Sequence, residues 1–344
     1  VSGFTLSAES APGYLAQRGF GGEFRCRELG GGISNVVVLA ESDDSRMVLK
    51  QALPQLRVRD EWLAERSRIF RERDGLIAAA QVLPKGWVPQ VLWSDDSEFL
   101  FAMEAFSPEA RSWKDELMLG SLDCKRAEQA GKALGLTIRE TWRDPELERR
   151  FGDQTAFNQL RTDPYYRTIA RRHPDIADAV YAWIAEVEPL RLALTHGDWS
   201  PKNMVCDGDR MVFIDYECVH FGDPSYDAAF ALNHLLLKAF RRPKQAPEIH
   251  GLGRVFFETV LGLLPAEAMP RFEEATMRHL AFLMLARIDG KSPVEYLRDQ
   301  SLRQRVRRKA KEMIADRPQS LDAVFARLGR PAIGRGRAGR WLLD

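Results

Sequence analysis

The stretch from residue 192 to 215 constrains this chain more than any other. Two short apolar runs there surround polar loops, between flanks whose apolar spacing is helical. It contains Thr195-His196-Gly197-Asp198-Trp199-Ser200-Pro201-Lys202-Asn203, followed by Phe213-Ile214-Asp215-Tyr216-Glu217. An Asp and an Asn lie five residues apart on a loop, and another Asp follows twelve residues later at a strand end. That pattern suits phosphoryl transfer, which asks little covalent chemistry of a protein. It needs a positioned acceptor hydroxyl and cations spread over the phosphates. Asp198 is the candidate for accepting or orienting the hydroxyl. Asn203 and Asp215 offer hard oxygen ligands, which suit Mg2+ and not zinc or iron. If strand geometry persists past Asp215, Glu217 points the same way and joins the metal shell.

The remainder divides into a sheet-rich front and a helix-rich back. Residues 10–19 read as a short helix, with Ser10 as N-cap, Pro12 near its start and Gly19 just past its end. Residues 23–29, 35–40 and 46–51 read as strands, the first two joined by Gly30-Gly31-Gly32. A helix over 58–80 precedes two short strands at 91–93 and 99–103, which gives a small antiparallel sheet with a single packed helix. From residue 112 onward the spacing is helical over 123–136, 175–190, 226–240, 254–264 and 270–288. Residues 204–206 and 211–214 form a hairpin turning at Asp207-Gly208-Asp209. Front and back meet near residues 104–108. The expected domains therefore cover 1–105 and 106–344. A chain of 344 residues is long enough for two coupled lobes.

HGDWSPKN and FIDYE resemble the catalytic loop and metal-binding motif of the aminoglycoside phosphotransferase and choline kinase superfamily of small-molecule kinases. GDPSYDAAF, after them, is similar to the segment that follows in that superfamily. The resemblance implies an α+β, bilobal protein-kinase-like fold, with a small antiparallel-sheet N-lobe carrying one main helix and a larger, mostly helical C-lobe. It also implies ATP and Mg2+ as cofactors and a small-molecule hydroxyl as acceptor. By the same resemblance, 1–105 is a nucleotide-binding lobe and 106–344 a catalytic, substrate-binding lobe. Protein kinases carry an arginine between the His and the Asp, and a lysine two positions after the Asp. Gly197 and Ser200 stand there in this chain, which favours a small substrate.

Lys50, in Val48-Leu49-Lys50-Gln51-Ala52-Leu53-Pro54, sits where this fold's ATP-binding lysine would, and VLKQALP resembles the methylthioribose kinase branch. The lysine needs a carboxylate partner. Glu61, Glu65 and Glu72 share one helical face, so periodicity cannot choose among them. Similarity to the superfamily's E-x-x-x-L helix implies Glu72, with Leu76. In the loop after Gly30, residues Gly31, Gly32, Ser34 and Asn35 would let backbone amides approach the phosphates. The stretch from Glu104 through Phe106 to Pro108 resembles the hinge whose backbone holds adenine. Arg287 ends an apolar helix in a region where methylthioribose kinases place substrate-binding arginines.

Several other residues have plainer readings. His196 packs under the catalytic loop and takes no part in proton transfer. Asp227 caps its helix or supports that loop. Asp163-Pro164-Tyr165-Tyr166 either lines a substrate pocket or starts a helix. The run from Gly334 to Gly339 fits GxGxxG, but it follows no strand and opens no helix, so it is not a dinucleotide site.

Bulk properties narrow the classes further. Fifty basic against forty-nine acidic side chains demand no polyanionic partner. No apolar run is long enough to span a membrane, and no leader pattern opens the sequence. Four scattered cysteines fit a reducing cytoplasm. A basic run from Arg303 to Lys311 offers a nucleic-acid reading, yet no aromatic residues interleave with it. A catalytically dead nucleotide-binding regulator is disfavoured because Lys50, Asp198, Asn203 and Asp215 are all present. The expected acceptor is a sugar or a sugar-containing compound, with an aminoglycoside or nucleoside antibiotic included. No dense acidic cluster in the back lobe waits for a polycation.

Overall fold

In the computed structural model, which describes residues 4–30, 35–53 and 66–328, the valine-rich front forms an antiparallel sheet. Its strands are β1 (Arg25–Glu28), β2 (Asn35–Glu41), β3 (Arg46–Ala52), β4 (Val91–Asp95) and β5 (Leu100–Glu104), in the order β1-β2-β3-β5-β4. Side chains alternate between the two faces of each strand. Val36, Val38 and Ala40 of β2, with Met47 and Leu49 of β3, pack against α1 (Ala11–Gln17) through Tyr14 and Leu15. Leu39, Val48, Phe101 and Met103 face the other way, towards Ile69, Leu76 and Ala79 of α2 (Arg68–Val82). The sheet is therefore covered on both faces, by α1 as well as by the main helix. The expected single-helix packing is corrected accordingly: apolar residues on the outer face needed a second cover.

Lys50 shares its face with Val48, two positions before it, and so points at α2. Of the helix expected over 58–80, residues 58–65 lie outside the described residues, Glu61 and Glu65 among them. Gly75 of α2 allows a close approach behind the cleft. A Cβ there would stand 2.8 Å from Val219 Cγ1 and 3.1 Å from Tyr216 Cβ. The helix thus lies directly on the turn that follows Asp215.

The back lobe opens with β6 (Arg111–Ser112), α3 (Trp113–Leu119) and α4 (Cys124–Thr141). Ser112 and Asp123 cap these two helices through their side-chain oxygens. After α5 (Pro145–Phe151) and α6 (Thr155–Phe157), residues Asn158–Arg167 form a π-helical stretch with Pro164 inside it. Proline removes an N–H from the helical ladder, and a wider turn accommodates it. Then follow α7 (Thr168–Arg172), α8 (Ala177–Val187), β7 (Ala193–Thr195), β8 (Met204–Asp207), β9 (Arg210–Phe213) and β10 (His220–Gly222). β7 pairs with β10, and β8 lies between β6 and β9. The β8–β9 hairpin pairs Asp207 with Arg210, which leaves Gly208-Asp209 as a turn one residue tighter than expected.

α9 (Ser225–Arg241) is buried on every side from Ser225 to Ala239, as the central rod of a helical layer must be. Around it stand α10 (Ala246–Leu261), α11 (Met269–Asp289), α12 (Gln300–Asp316) and α13 (Leu321–Arg327). The helix expected over 254–264 starts earlier because Ala246-Pro247 supplies a favourable first turn. The basic run lies on α12, where its charges meet partners within the protein. Arg307 binds Asp289 at 2.7 Å, Lys311 binds Asp175 at 2.8 Å, and Arg305 lies 5.6 Å from the centre of the Phe240 ring. Among the described residues no helix is long and apolar enough to cross a membrane. A sheet lobe joined to a larger helical lobe is the α+β, bilobal architecture the sequence led us to expect.

Candidate active site

β7 delivers the chain into the loop that begins at His196. Asp227, in the first turn of α9, accepts hydrogen bonds from the amides of His196 (2.6 Å) and Gly197 (2.8 Å). Burial pushes the Asp227 carboxyl up to about 7, against the pull of those two amides. Gly197 has φ +78°, and a Cβ there would meet Cys218 Cβ at 2.7 Å and Cys218 O at 2.8 Å. No other residue fits that turn. The His196 ring accepts from the Asp198 amide at Nδ1 (3.1 Å) and donates from Nε2 to the Ile214 carbonyl (3.0 Å). Burial carries its pKa down to about 4, so the ring is a neutral brace between the loop and β9.

One consequence is testable by stability alone. Asp227→Ala leaves two buried amides without an acceptor, at a cost on the order of 3 kcal/mol. Urea unfolding of the variant should show that loss, and an unchanged midpoint would mean the loop is held by other contacts.

Asp198 is only 2% exposed and faces two cations. Arg161 Nη2 lies 2.7 Å and Lys202 Nζ 3.0 Å from Asp198 Oδ2. Burial acts to raise the carboxyl, but Lys202 and Arg161 together hold it well below the usual carboxylate range. Arg161 also donates to the Gly197 carbonyl at 2.8 Å, so it fixes both the backbone and the carboxylate of the loop. Sequence reasoning stopped at Asp163–Tyr166 and missed Arg161. Pro164, inside helical spacing, was the available signal that the preceding turn is irregular. Lys202 stood within the quoted motif without a role, and its side chain is 48% exposed beside Asp198. Asn203 donates from Nδ2 to the Asp198 carbonyl at 3.0 Å, which leaves its amide oxygen as the end able to meet a cation.

Asp215 occupies the left-handed region at φ 72°, a conformation that Asp tolerates better than most residues. Its Oδ1 lies 2.6 Å from Lys50 Nζ, and Lys50 Nζ also lies 2.6 Å from Glu72 Oε1. Burial works against charge on Lys50, yet Asp215, Glu72 and Glu217 together hold it above the usual ammonium range. Burial likewise pushes Glu72 up to about 8 against the pull of Lys50. These tendencies oppose each other across one contact. Two carboxylate oxygens 2.6 Å from one nitrogen require the charged lysine, so that is the state we assign.

The left-handed turn at Asp215 also ends the strand. Residues Tyr216–Cys218 form a 3-10 turn, so the alternation that would have aligned Glu217 with Asp215 does not continue. Glu217 is instead buried, accepting from Asn35 Nδ2 at 3.1 Å and standing 3.7 Å from Arg68 Nε. It links the sheet lobe to that turn, and its charge still reaches Lys50 beside Asp215.

Among the described residues, no group of three or more His, Cys, Asp or Glu side chains could hold a metal by itself. Asp215 with the Asn203 amide oxygen is a smaller, all-oxygen pair. Such a pair fits Mg2+, which takes one or two protein ligands and completes its octahedron with water and phosphate oxygens.

Gly31, Gly32 and Ser34 lie outside the described residues, whereas Asn35 begins β2. At the join between the lobes, the Glu104 amide donates to the Gln90 carbonyl at 2.9 Å, and the Phe106 carbonyl accepts from Arg46. Those two main-chain groups are therefore already engaged within the protein. Arg287, in the last turn of α11, donates to the Tyr165 hydroxyl and to Ser292 Oγ, each at 3.1 Å. Tyr165 joins it to the loop, because the Arg161 and Arg287 guanidiniums lie 5.7 and 5.6 Å from the centre of its ring.

Comparison with known proteins places this geometry in context. The model of the phosphotransferase enzyme family matches residues 25–269. The methylthioribose kinase of Escherichia coli is 31% identical over 277 residues, covering 69% of this chain and 65% of that enzyme, so the chain spans about two thirds of its relative's length. A choline/ethanolamine kinase family protein from Mesorhizobium loti superposes with a TM-score of 0.51 at 17% identity, over 94% of this chain and 100% of that one. A spectinomycin phosphotransferase in complex with ADP and spectinomycin superposes with a TM-score of 0.52 at 13% identity, over 94% and 99% of the two chains. At these identities the two structures establish the shared fold, a bilobal protein-kinase-like one.

Proposed function

Because the chain belongs to the phosphotransferase enzyme family, we propose that it transfers the γ-phosphoryl group of ATP, with Mg2+, to a hydroxyl of a sugar or sugar-containing small molecule. The observation that carries this reading is the convergence of Lys50, Asp215, Asn203 and Asp198. Lys50 contacts Asp215, Asn203 is bonded to the Asp198 backbone, and Lys202 reaches the Asp198 carboxylate. We take residues 1–105 as the nucleotide lobe and 106–344 as the catalytic lobe, with the segment of Gly31, Gly32 and Ser34 over the phosphates and Glu104 and Phe106 beside adenine.

In this reading Lys50, steadied by Glu72, meets the α- and β-phosphates. Asn203 and Asp215 would hold Mg2+, which when bound neutralises phosphate charge. Asp198 fixes the acceptor hydroxyl in line with the phosphorus and receives its proton late. Arg161 and Lys202 keep Asp198 ionised for that role. Arg287 lies on the acceptor side. All four key residues are present, which argues against a dead nucleotide-binding regulator.

The test is a coupled ADP-release screen across sugars, nucleosides, amino-alcohols and aminoglycosides, with and without Mg2+. Release that depends on both Mg2+ and a hydroxyl acceptor is the expected result. A chain that binds no Mg-ATP under these conditions is not a kinase.

A further inference from the structure

Phe230, His234 and Lys238 of α9 are spaced four residues apart and so share one face of the helix. Eight residues of helix span about 12 Å, roughly the length of a hexose with one substituent. At the near end, the Arg161 guanidinium that binds Asp198 lies 5.9 Å from the centre of the Phe230 ring. At the far end stands Lys238, 2% exposed. Its ammonium makes one long hydrogen bond, 3.3 Å to the His234 carbonyl, and lies 5.1 Å from the centre of the Tyr296 ring. Among the described residues no carboxylate comes within salt-bridge distance of it. Glu295, the acidic group whose charge reaches Lys238, is held by Lys114 at 2.6 Å.

Arg287 approaches the same corner from α11, and among the described residues it has no carboxylate partner and its buried Nε has no acceptor. The Tyr296 hydroxyl is buried and, among the described residues, equally without a hydrogen-bond partner. Burial, then the charges of Arg287 and Lys238, push the His234 imidazole well below its ordinary pKa, so the ring between the two ends is neutral. Buried donors normally have acceptors, and a buried cation normally has a counter-charge. Here a lysine that burial and Lys114 bring down to about 7, a guanidinium Nε–H and a phenol lie close together, and among the described residues no anion comes within salt-bridge distance of them.

We infer that the acceptor is a hydroxyl compound carrying a carboxylate or phosphate group, which Lys238, Arg287 and the Tyr296 hydroxyl bind at the end of the α9 face remote from Asp198. This rests on the proposed kinase reading, in which the phosphorylated hydroxyl sits beside Asp198. It disfavours cationic acceptors such as aminoglycosides and amino-alcohols, which would meet Arg161, Lys202, Arg287 and Lys238.

The experiment uses the full chain saturated with Mg2+ and a non-hydrolysable ATP analogue, so that the nucleotide phosphate site is filled. D-glucose, D-glucuronate, glucose 6-phosphate and inorganic phosphate are titrated calorimetrically into the wild type, Lys238→Met and Arg287→Gln. At least one anion should bind roughly 10-fold or more tightly than glucose, and each variant should lose that preference, since 1.4 kcal/mol corresponds to tenfold. Preference for glucuronate assigns a carboxylate, and preference for either phosphate compound assigns a phosphate. Lys238→Met should melt at or above the wild-type temperature, because a similarly sized apolar side chain removes a buried amine that burial and Lys114 already bring down to about 7. Glucose binding as well as the anions, no anion binding at all, variants that bind anions like the wild type, or a lower melting temperature for Lys238→Met would each overturn the inference. Failure of the nucleotide analogue to bind would instead overturn the kinase reading itself.

Discussion

Replacing Asp198 by Asn should cut turnover by roughly 10²-fold or more, the lower part of the general-base range, while nucleotide affinity stays nearly unchanged. Asn keeps the size and much of the hydrogen bonding of the carboxylate but cannot receive the acceptor's proton. In the proposed reading Lys50 and its partners hold the nucleotide, and the ion pairs of Asp198 run to Arg161 and Lys202 instead. Single-turnover phosphorylation alongside an ATP titration separates the two effects, and melting temperature checks that Arg161 and Lys202 tolerate the lost charge. The pH profile carries a second signature. Burial opposes ionisation of Asp198, but Lys202 and Arg161 outweigh it and hold its pKa below the ordinary value near 3.9. Its charge is therefore present throughout the range from pH 5 to 8, and no acid limb of the wild-type profile there should disappear in the variant. Near-normal turnover in Asp198→Asn would remove the base from the mechanism.

The second large effect is expected at Asp215. Asp215→Asn retains a residue that tolerates the left-handed backbone at φ 72°, so the fold should persist. Partners one shell out from a metal cost 10–100-fold in affinity when removed, and a direct ligand should lose on the order of 100-fold of the Mg2+-dependent nucleotide affinity. Affinity for metal-free ATP should move the other way or not at all, because one carboxylate beside Lys50 no longer repels the phosphates. Titrations with Mg2+ and with EDTA decide it. A variant that binds Mg-ATP like the wild type would place the metal elsewhere.

The sequence led to the sheet, the central helices and the loop, because their apolar spacing and turn residues are local signals. It also brought Lys50, Glu72 and Asp215 into view, and the structure sets both carboxylates against the lysine. What escaped depended on partners distant in sequence. Arg161 reaches Asp198 across 37 positions from an irregular π-helical stretch that no period describes. The strand expected past Asp215 rested on alternation, and a single left-handed residue there turns the backbone into a 3-10 turn instead. Lys238 lies in a plainly apolar helix, where a lone lysine is easily passed over as a solvated end. Only its burial makes it unusual.

The close contact at Gly75 bears on control of activity. With no side chain between α2 and the Val219 and Tyr216 side chains, the helix that carries Glu72 rides on the same body as Asp215. Swinging α2 outward to part Glu72 from Lys50 would also open an apolar seam behind the cleft. Any displacement of Glu72 from Lys50 therefore carries the cost of exposing that seam, on top of the broken ion pair.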